Sequence, residues 1–192
     1  MKRLITTAAI AMLSAVGAYA QGTIVFANGT SSLVVWDAAL GGGAIPATAG
    51  IKVGLYYNGT GGFVLVPKGV NPYPPYLGTT STGATNTAVN GRFNAGTLAV
   101  PGLAGGATGT FQVRAWSGGF ESYEAAVAGG AQYLASTADF LNGSGGPTAD
   151  PNAPPIPAAT LSGFTGLVVP EPSTIALAAL GLGAMFLIRR RK

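Results

Sequence analysis

The 192-residue chain contains no cysteine and no histidine. Thiolate and imidazole metal sites are therefore excluded, as is Cys/His nucleophilic catalysis. A serine triad would lack its base, and no disulfide can staple the fold. Charge is scarce as well. Charged residues make up 8% of the chain, against about 25% in an average globular protein. The polar surface must be built from Ser, Thr, Asn, Gln and Gly instead.

The little charge present is unevenly placed. A formal net charge of +4 and a pI near 9.6 suggest a polyanion binder. Yet Lys2, Arg3, Arg189, Arg190, Arg191 and Lys192 all lie at the two ends. Between them stand Lys52, Lys68, Arg92 and Arg114, against Asp37, Glu121, Glu124, Asp139 and Asp150. The middle of the chain is thus slightly acidic. Neutralising a phosphate backbone needs clustered Lys and Arg, so nucleic acid is not an expected partner.

Residues 1–20 read as a signal peptide. Met1-Lys2-Arg3 is a basic start, residues 4–16 form an apolar stretch, and Ala18-Tyr19-Ala20 fits the small-x-small pattern that signal peptidase cuts. Cleavage would leave Gln21 as the new N-terminus. The plainer alternative is an uncleaved N-terminal anchor.

Residues 21–168 form the passenger. All but three of the 31 glycines and all but two of the 13 prolines fall in it. Its apolar residues come in short alternating bursts between turn residues, which is how strands are written. Strands are expected at 22–27, 33–36, 51–57, 63–66, 110–116 and 161–169, with weaker candidates at 92–93 and 97–100. Asn28-Gly29 predicts a hairpin joining the first two, and residues 58–62 a hairpin joining the next two. One short helix is expected over 122–128, with Ser122 as N-cap and Gly129-Gly130 as the stop. Residues 133–140 fit either helix or strand. The fold class this predicts is mostly β: an antiparallel β-sandwich with one short helix, flanked by an N-terminal signal helix and a C-terminal hydrophobic helix.

Candidate chemistry in the passenger is thin. Glu121 and Glu124 share a helix side, but negative charge in a first turn also complements the helix dipole. A glycosidase needs two carboxylates facing each other across a substrate. Asp37, Asp139 and Asp150 have no Asp-x-Asp spacing that would favour calcium. The expectation is therefore no enzyme, no catalytic residue, no metal and no cofactor. Three sequons begin at Asn28, Asn58 and Asn142, and Asn-Gly at each is read as turn chemistry rather than glycosylation. Residues 79–87 are rich in threonine, as an exposed polar loop or an acceptor of O-linked sugar. Aromatic rings can stack on sugar faces, so Trp116, Tyr73 and Tyr76 are the candidate ligand contacts. The competing reading has the aromatics, Trp36 included, filling the core.

Residues 169–192 are arranged differently. Pro170-Glu171-Pro172 precedes an apolar run over 175–188, and Arg189, Arg190, Arg191 and Lys192 form a basic stop. The prolines fix φ on either side of Glu171 and keep the segment extended. The 14-residue run would span about 21 Å as a helix, short of the roughly 30 Å hydrocarbon core. Basic residues at both ends stay cytoplasmic by the positive-inside rule, which places the passenger across the membrane. This tail resembles the PEP-CTERM sorting domain of Gram-negative bacteria, which marks exported proteins for the membrane transpeptidase exosortase. The resemblance implies that exosortase reads Pro170, Glu171 and Pro172 and removes the hydrophobic tail. The inner membrane is then a transient station before the cell surface or exterior. It also implies an association with exopolysaccharide. Two functions follow as expectations: a non-enzymatic structural role in the envelope or matrix, or a carbohydrate-binding module on the same scaffold.

Overall fold

The computed structural model describes residues 21–67, 74–78, 90–147 and 153–169. The expected signal helix, Tyr73, the threonine-rich loop, Asp150 and residues 170–192 of the sorting tail lie outside the described residues. Among those described, no helix is long and apolar enough to cross a membrane.

The described chain is mostly β, with ten strands and one α-helix. The strands are β1 (Gln21–Ala27), β2 (Val34–Trp36), β3 (Ile51–Gly59), β4 (Gly62–Leu65) and β5 (Asn94–Ala104). They continue as β6 (Thr108–Ser117), β7 (Leu134–Ser136), β8 (Phe140–Gly143), β9 (Ala159–Thr160) and β10 (Leu167–Val169). The helix, α1, covers Tyr123–Ala128. Its expected cap is present: the Ser122 hydroxyl accepts a hydrogen bond from the Ala125 N–H at 3.1 Å, satisfying one of the orphan donors of a helix start.

One sheet runs β4-β3-β6-β7, with β8 also on β6; a second runs β5-β1-β9; a third pairs β10 with β2. The hairpin over 58–62 forms as expected, with Asn58 opposite Phe63 and Gly59 opposite Gly62. The other expected hairpin does not. β1 pairs with β5 and β9, while β2 pairs with β10. Asn28-Gly29 therefore turns the chain from one sheet into another. The pairings of β1 with β9 and of β2 with β10 are parallel, which requires long connections between the partners. Residues 133–140, open between helix and strand, give β7 and the start of β8. The expected long strand over 161–169 is interrupted around Gly163 and Gly166, so that within it only β10 is regular, while β9 lies just before it. Of the two weaker candidates, residues 97–100 fall within the 11-residue β5, whereas residues 92–93 lie just outside it.

The main sheets share one apolar core. Ile24 and Phe26 of β1 and Leu98 and Val100 of β5 are fully buried with Val53 and Leu55 of β3 and Phe111 and Val113 of β6. Strict alternation along β1 and most of β6 produces this, since successive side chains point to opposite faces. β3 differs: six consecutive residues are buried, so both of its faces are covered. What covers the second face determines the fate of the candidate site.

The candidate site on the outer sheet face

Lys52, Gly54 and Tyr56 of β3 lie opposite Trp116, Arg114 and Gln112 of β6. These side chains form the outer face of the sheet, and residues 118–133 fold back over them. Trp116, Tyr56 and Ala126 of α1 are fully buried there in a second apolar cluster, packed by Phe63, Leu65, Phe120, Tyr123 and Leu134. Gly54 makes room for it. A Cβ at that position would sit 2.7 Å from the Leu65 Cδ1 and 3.0 Å from the indole of Trp116.

Trp116 therefore does not serve as a ligand platform. Its relative exposure is 0%, and its indole Nε1 donates to the Phe120 carbonyl at 2.9 Å. The partner that this polar-face tryptophan meets is the chain's own loop and helix. The same Phe120 carbonyl accepts from Lys52 Nζ at 3.0 Å, and Lys52 also pairs with Glu121 at 3.4 Å. Two donors from two adjacent strands thus pin the loop that leads into α1.

Arg114 organises the rest of the face. Its guanidinium lies 4.3 Å from the centre of the Tyr56 ring, 5.2 Å from Tyr123 and 5.5 Å from Phe63, within the range of attraction between a cation and an aromatic face. Its Nη1 donates to Glu124 at 2.6 Å and its Nε to Gln112 at 2.9 Å. Gln112 in turn donates to Asp139 at 2.7 Å. The Tyr56 hydroxyl donates to Glu124 at 3.0 Å and accepts from the Tyr123 N–H at 2.8 Å. Burial, reinforced by the Glu124 carboxylate, pushes the Tyr56 hydroxyl well above its ordinary pKa. Every carboxylate among the described residues has a protein donor. Asp37 completes the set by capping the short turn at Ala38–Leu40, accepting from the Ala39 N–H at 3.0 Å.

The sequons divide. Asn58 is exposed on its hairpin. Asn28 and Asn142 are buried, and their amides are consumed by backbone. Asn28 donates to the Ser32 and Gly91 carbonyls at 2.8 and 2.9 Å and accepts from the Phe93 N–H at 2.7 Å. Asn142 donates to the Gly143 and Thr160 carbonyls and accepts from the Ser162 N–H at 2.8 Å. Each ties its turn to segments distant in sequence. Only their position beside glycine marks them in the sequence, and that does not separate a staple from an ordinary turn.

Tyr76 is the remaining candidate contact, and it is 38% exposed. It bridges to Lys52 of β3, with Lys52 Nζ 5.5 Å from its ring centre. Tyr76, Phe120 and Tyr133 line an open trough of about 560 Å³, together with Ser117 and Gln132. The Phe120 ring fits there because Gly118 and Gly129 carry no side chain: a Cβ would lie 3.1 Å and 2.3 Å from it. Tyr133 is braced from behind by Trp36, with ring centres 4.9 Å apart. The sequence marked Tyr76, whereas Phe120 and Tyr133 come to the trough only through the fold of residues 118–133.

Residues 168–192 match the family model of the PEP-CTERM protein-sorting motif. No curated protein and no solved structure matches the chain. The C-terminal tail is thus a PEP-CTERM sorting motif, and it supports exosortase-dependent sorting to the cell surface or exterior.

Proposed function

We propose that this chain is an exported, non-enzymatic structural protein of the cell surface or extracellular matrix, associated with exopolysaccharide and delivered by its sorting tail. The observation that carries the reading is the match of residues 168–192 to the PEP-CTERM motif. In this reading signal peptidase cuts after Ala20 and the passenger crosses the inner membrane of a Gram-negative bacterium. The segment over 175–188 holds the passenger there as a helix. Exosortase then recognises Pro170, Glu171 and Pro172 and removes the segment ending in Arg189, Arg190, Arg191 and Lys192. The passenger is read as a sandwich-like β domain whose described carboxylates are engaged in holding α1, the loops and the strands together, which supports a structural rather than a catalytic role. Fractionation of a host with and without exosortase tests the destination. Surface or medium localisation only in the exosortase-positive host is the expected result, and equal localisation in both would contradict it.

A second reading is favoured by one observation. The trough lined by Tyr76, Phe120 and Tyr133 presents rings beside the polar groups of Ser117 and Gln132, the combination that a neutral sugar chain stacks and hydrogen-bonds against. Binding of residues 21–168 to polysaccharide in a pull-down, lost in Tyr76→Ala with an unchanged melting curve, would establish a carbohydrate-binding module. Retained binding in that variant would remove the trough as the site.

A further inference from the structure

Two charge-free surfaces lie at opposite ends of β6 and match one another in chemistry. At one end is the trough of Tyr76, Phe120 and Tyr133, which Ser117, the last residue of β6, also lines. No charged residue lines it. At the other end is a short proline-rich ridge, Ala153-Pro154-Pro155-Ile156-Pro157. Pro154, Pro155, Ile156 and Pro157 are all exposed.

The fold holds this ridge by its backbone and leaves its proline rings outside. The Ile156 N–H donates to the Gly146 carbonyl at 2.8 Å, and the Gly146 N–H donates to the Ile156 carbonyl at 2.7 Å. The Ile156 side chain leans on the turn before β6: a Cβ at Gly106 would lie 2.7 Å from the Ile156 Cδ1. Three prolines fix φ, and each keeps the residue before it extended. The ridge is thus a stiff, polyproline-like rod, and little conformational entropy is left to lose when it docks.

Aromatic grooves take rods of this kind. Proline rings pack between the aromatic rings, and backbone carbonyls free of internal hydrogen bonds accept from donors in the groove. The Ser117 hydroxyl and the Gln132 amide supply such donors in the trough. Neither surface carries an ion that would have to be stripped of water. One molecule cannot join its own two surfaces. β6 has ten residues, and at about 3.3 Å per residue roughly 30 Å separates its ends. We propose that the trough of one copy takes the 154–157 ridge of the next, head to tail. Such a contact uses two different patches, so it propagates into rings or open filaments instead of stopping at a dimer. It deepens the structural reading of the passenger, on which it rests: copies linked this way build matrix by themselves.

Sedimentation of the full chain in a mild detergent, over a range of concentrations, tests this. Wild type is expected to grow from monomer to progressively larger species. Tyr76→Ala removes one wall of the trough, and Pro154→Ser with Pro155→Ser removes rings of the ridge. Each variant is expected to associate at least about tenfold more weakly. The ridge prolines are exposed, so that variant keeps its fold. Mixed one to one, the two variants are expected to give dimers and nothing larger, since each supplies the one surface that the other lacks. Wild type that stays monomeric up to about 1 mM overturns the contact, and so does a ridge variant that assembles like wild type. Neutral polysaccharide held in the trough of a monomeric wild type gives that site to sugar and overturns the contact as well. None of these results touches surface localisation, which the comparison of hosts with and without exosortase tests separately.

Discussion

Arg114 of β6 and Glu124 of α1 meet at 2.6 Å, and this pair joins the helix to the sheet beneath it. The ion pair by itself contributes little, because the Glu124 side chain is more than half exposed and such pairs are worth about 0–1 kcal/mol. The rings of Tyr56, Tyr123 and Phe63 around the guanidinium add to it.

Arg114→Ala should destabilise the passenger by about 1–2 kcal/mol, combining the lost ion pair with the lost contact to the rings. Arg114→Lys should lie between wild type and alanine, because an ammonium cannot stack as a planar guanidinium does. Urea denaturation of residues 21–168 checks both. Equal stability of the Ala and Lys variants would show that planarity contributes nothing.

Trp116→Ala should cost about 3–5 kcal/mol, as expected for emptying a large buried site. Trp116→Phe should cost less, although it removes the indole donor and leaves the Phe120 carbonyl with Lys52 Nζ alone. Lost ligand binding in Trp116→Ala would report unfolding rather than a contact, and a wild-type melting curve for that variant would contradict the packing described for it.

Asn142→Ala removes the acceptor of the Ser162 N–H and two donors to backbone carbonyls. Leaving buried polar groups unpaired costs about 1–3 kcal/mol. Asn58→Ala, on an exposed hairpin, should change stability by less than about 0.5 kcal/mol. Thermal melts of the two variants side by side decide the point.

Tyr56 makes the fold sensitive to alkali. Its folded-state pKa is raised, chiefly by burial, so the folded protein holds this proton more tightly than the unfolded chain does. The associated stability is fully present below the ordinary tyrosine value of about 10 and is lost as pH rises above it. Denaturant midpoints measured from pH 8 to 11 should fall above pH 10, and Tyr56→Phe should fall less steeply. Parallel curves for the two proteins would place the alkaline loss elsewhere.

How far the fold was legible in the sequence depended on how local the signal was. Ser122 and the Gly129-Gly130 stop announce α1, and the alternation of Phe111, Val113 and Ala115 announces β6, because capping and alternation act within a few residues. Asn28-Gly29 misled: the same dipeptide suits a hairpin turn and a change of sheet, and the pairing of β1 with β5 is decided some 70 residues downstream. Trp116 sat on a polar face, yet it is buried. The cover comes from residues 118–133, and the only local sign was Gly54, a glycine inside an otherwise well-formed strand. The sorting motif was the most legible feature, since its prolines, apolar run and basic stop are contiguous in the chain.

The central claim is that the tail directs exosortase processing, and the C-terminus of the mature protein tests it most directly. Intact-mass and C-terminal peptide spectra of the protein recovered from an exosortase-positive host should show a chain lacking residues 175–192. A mature chain that still ends at Lys192 would contradict the account.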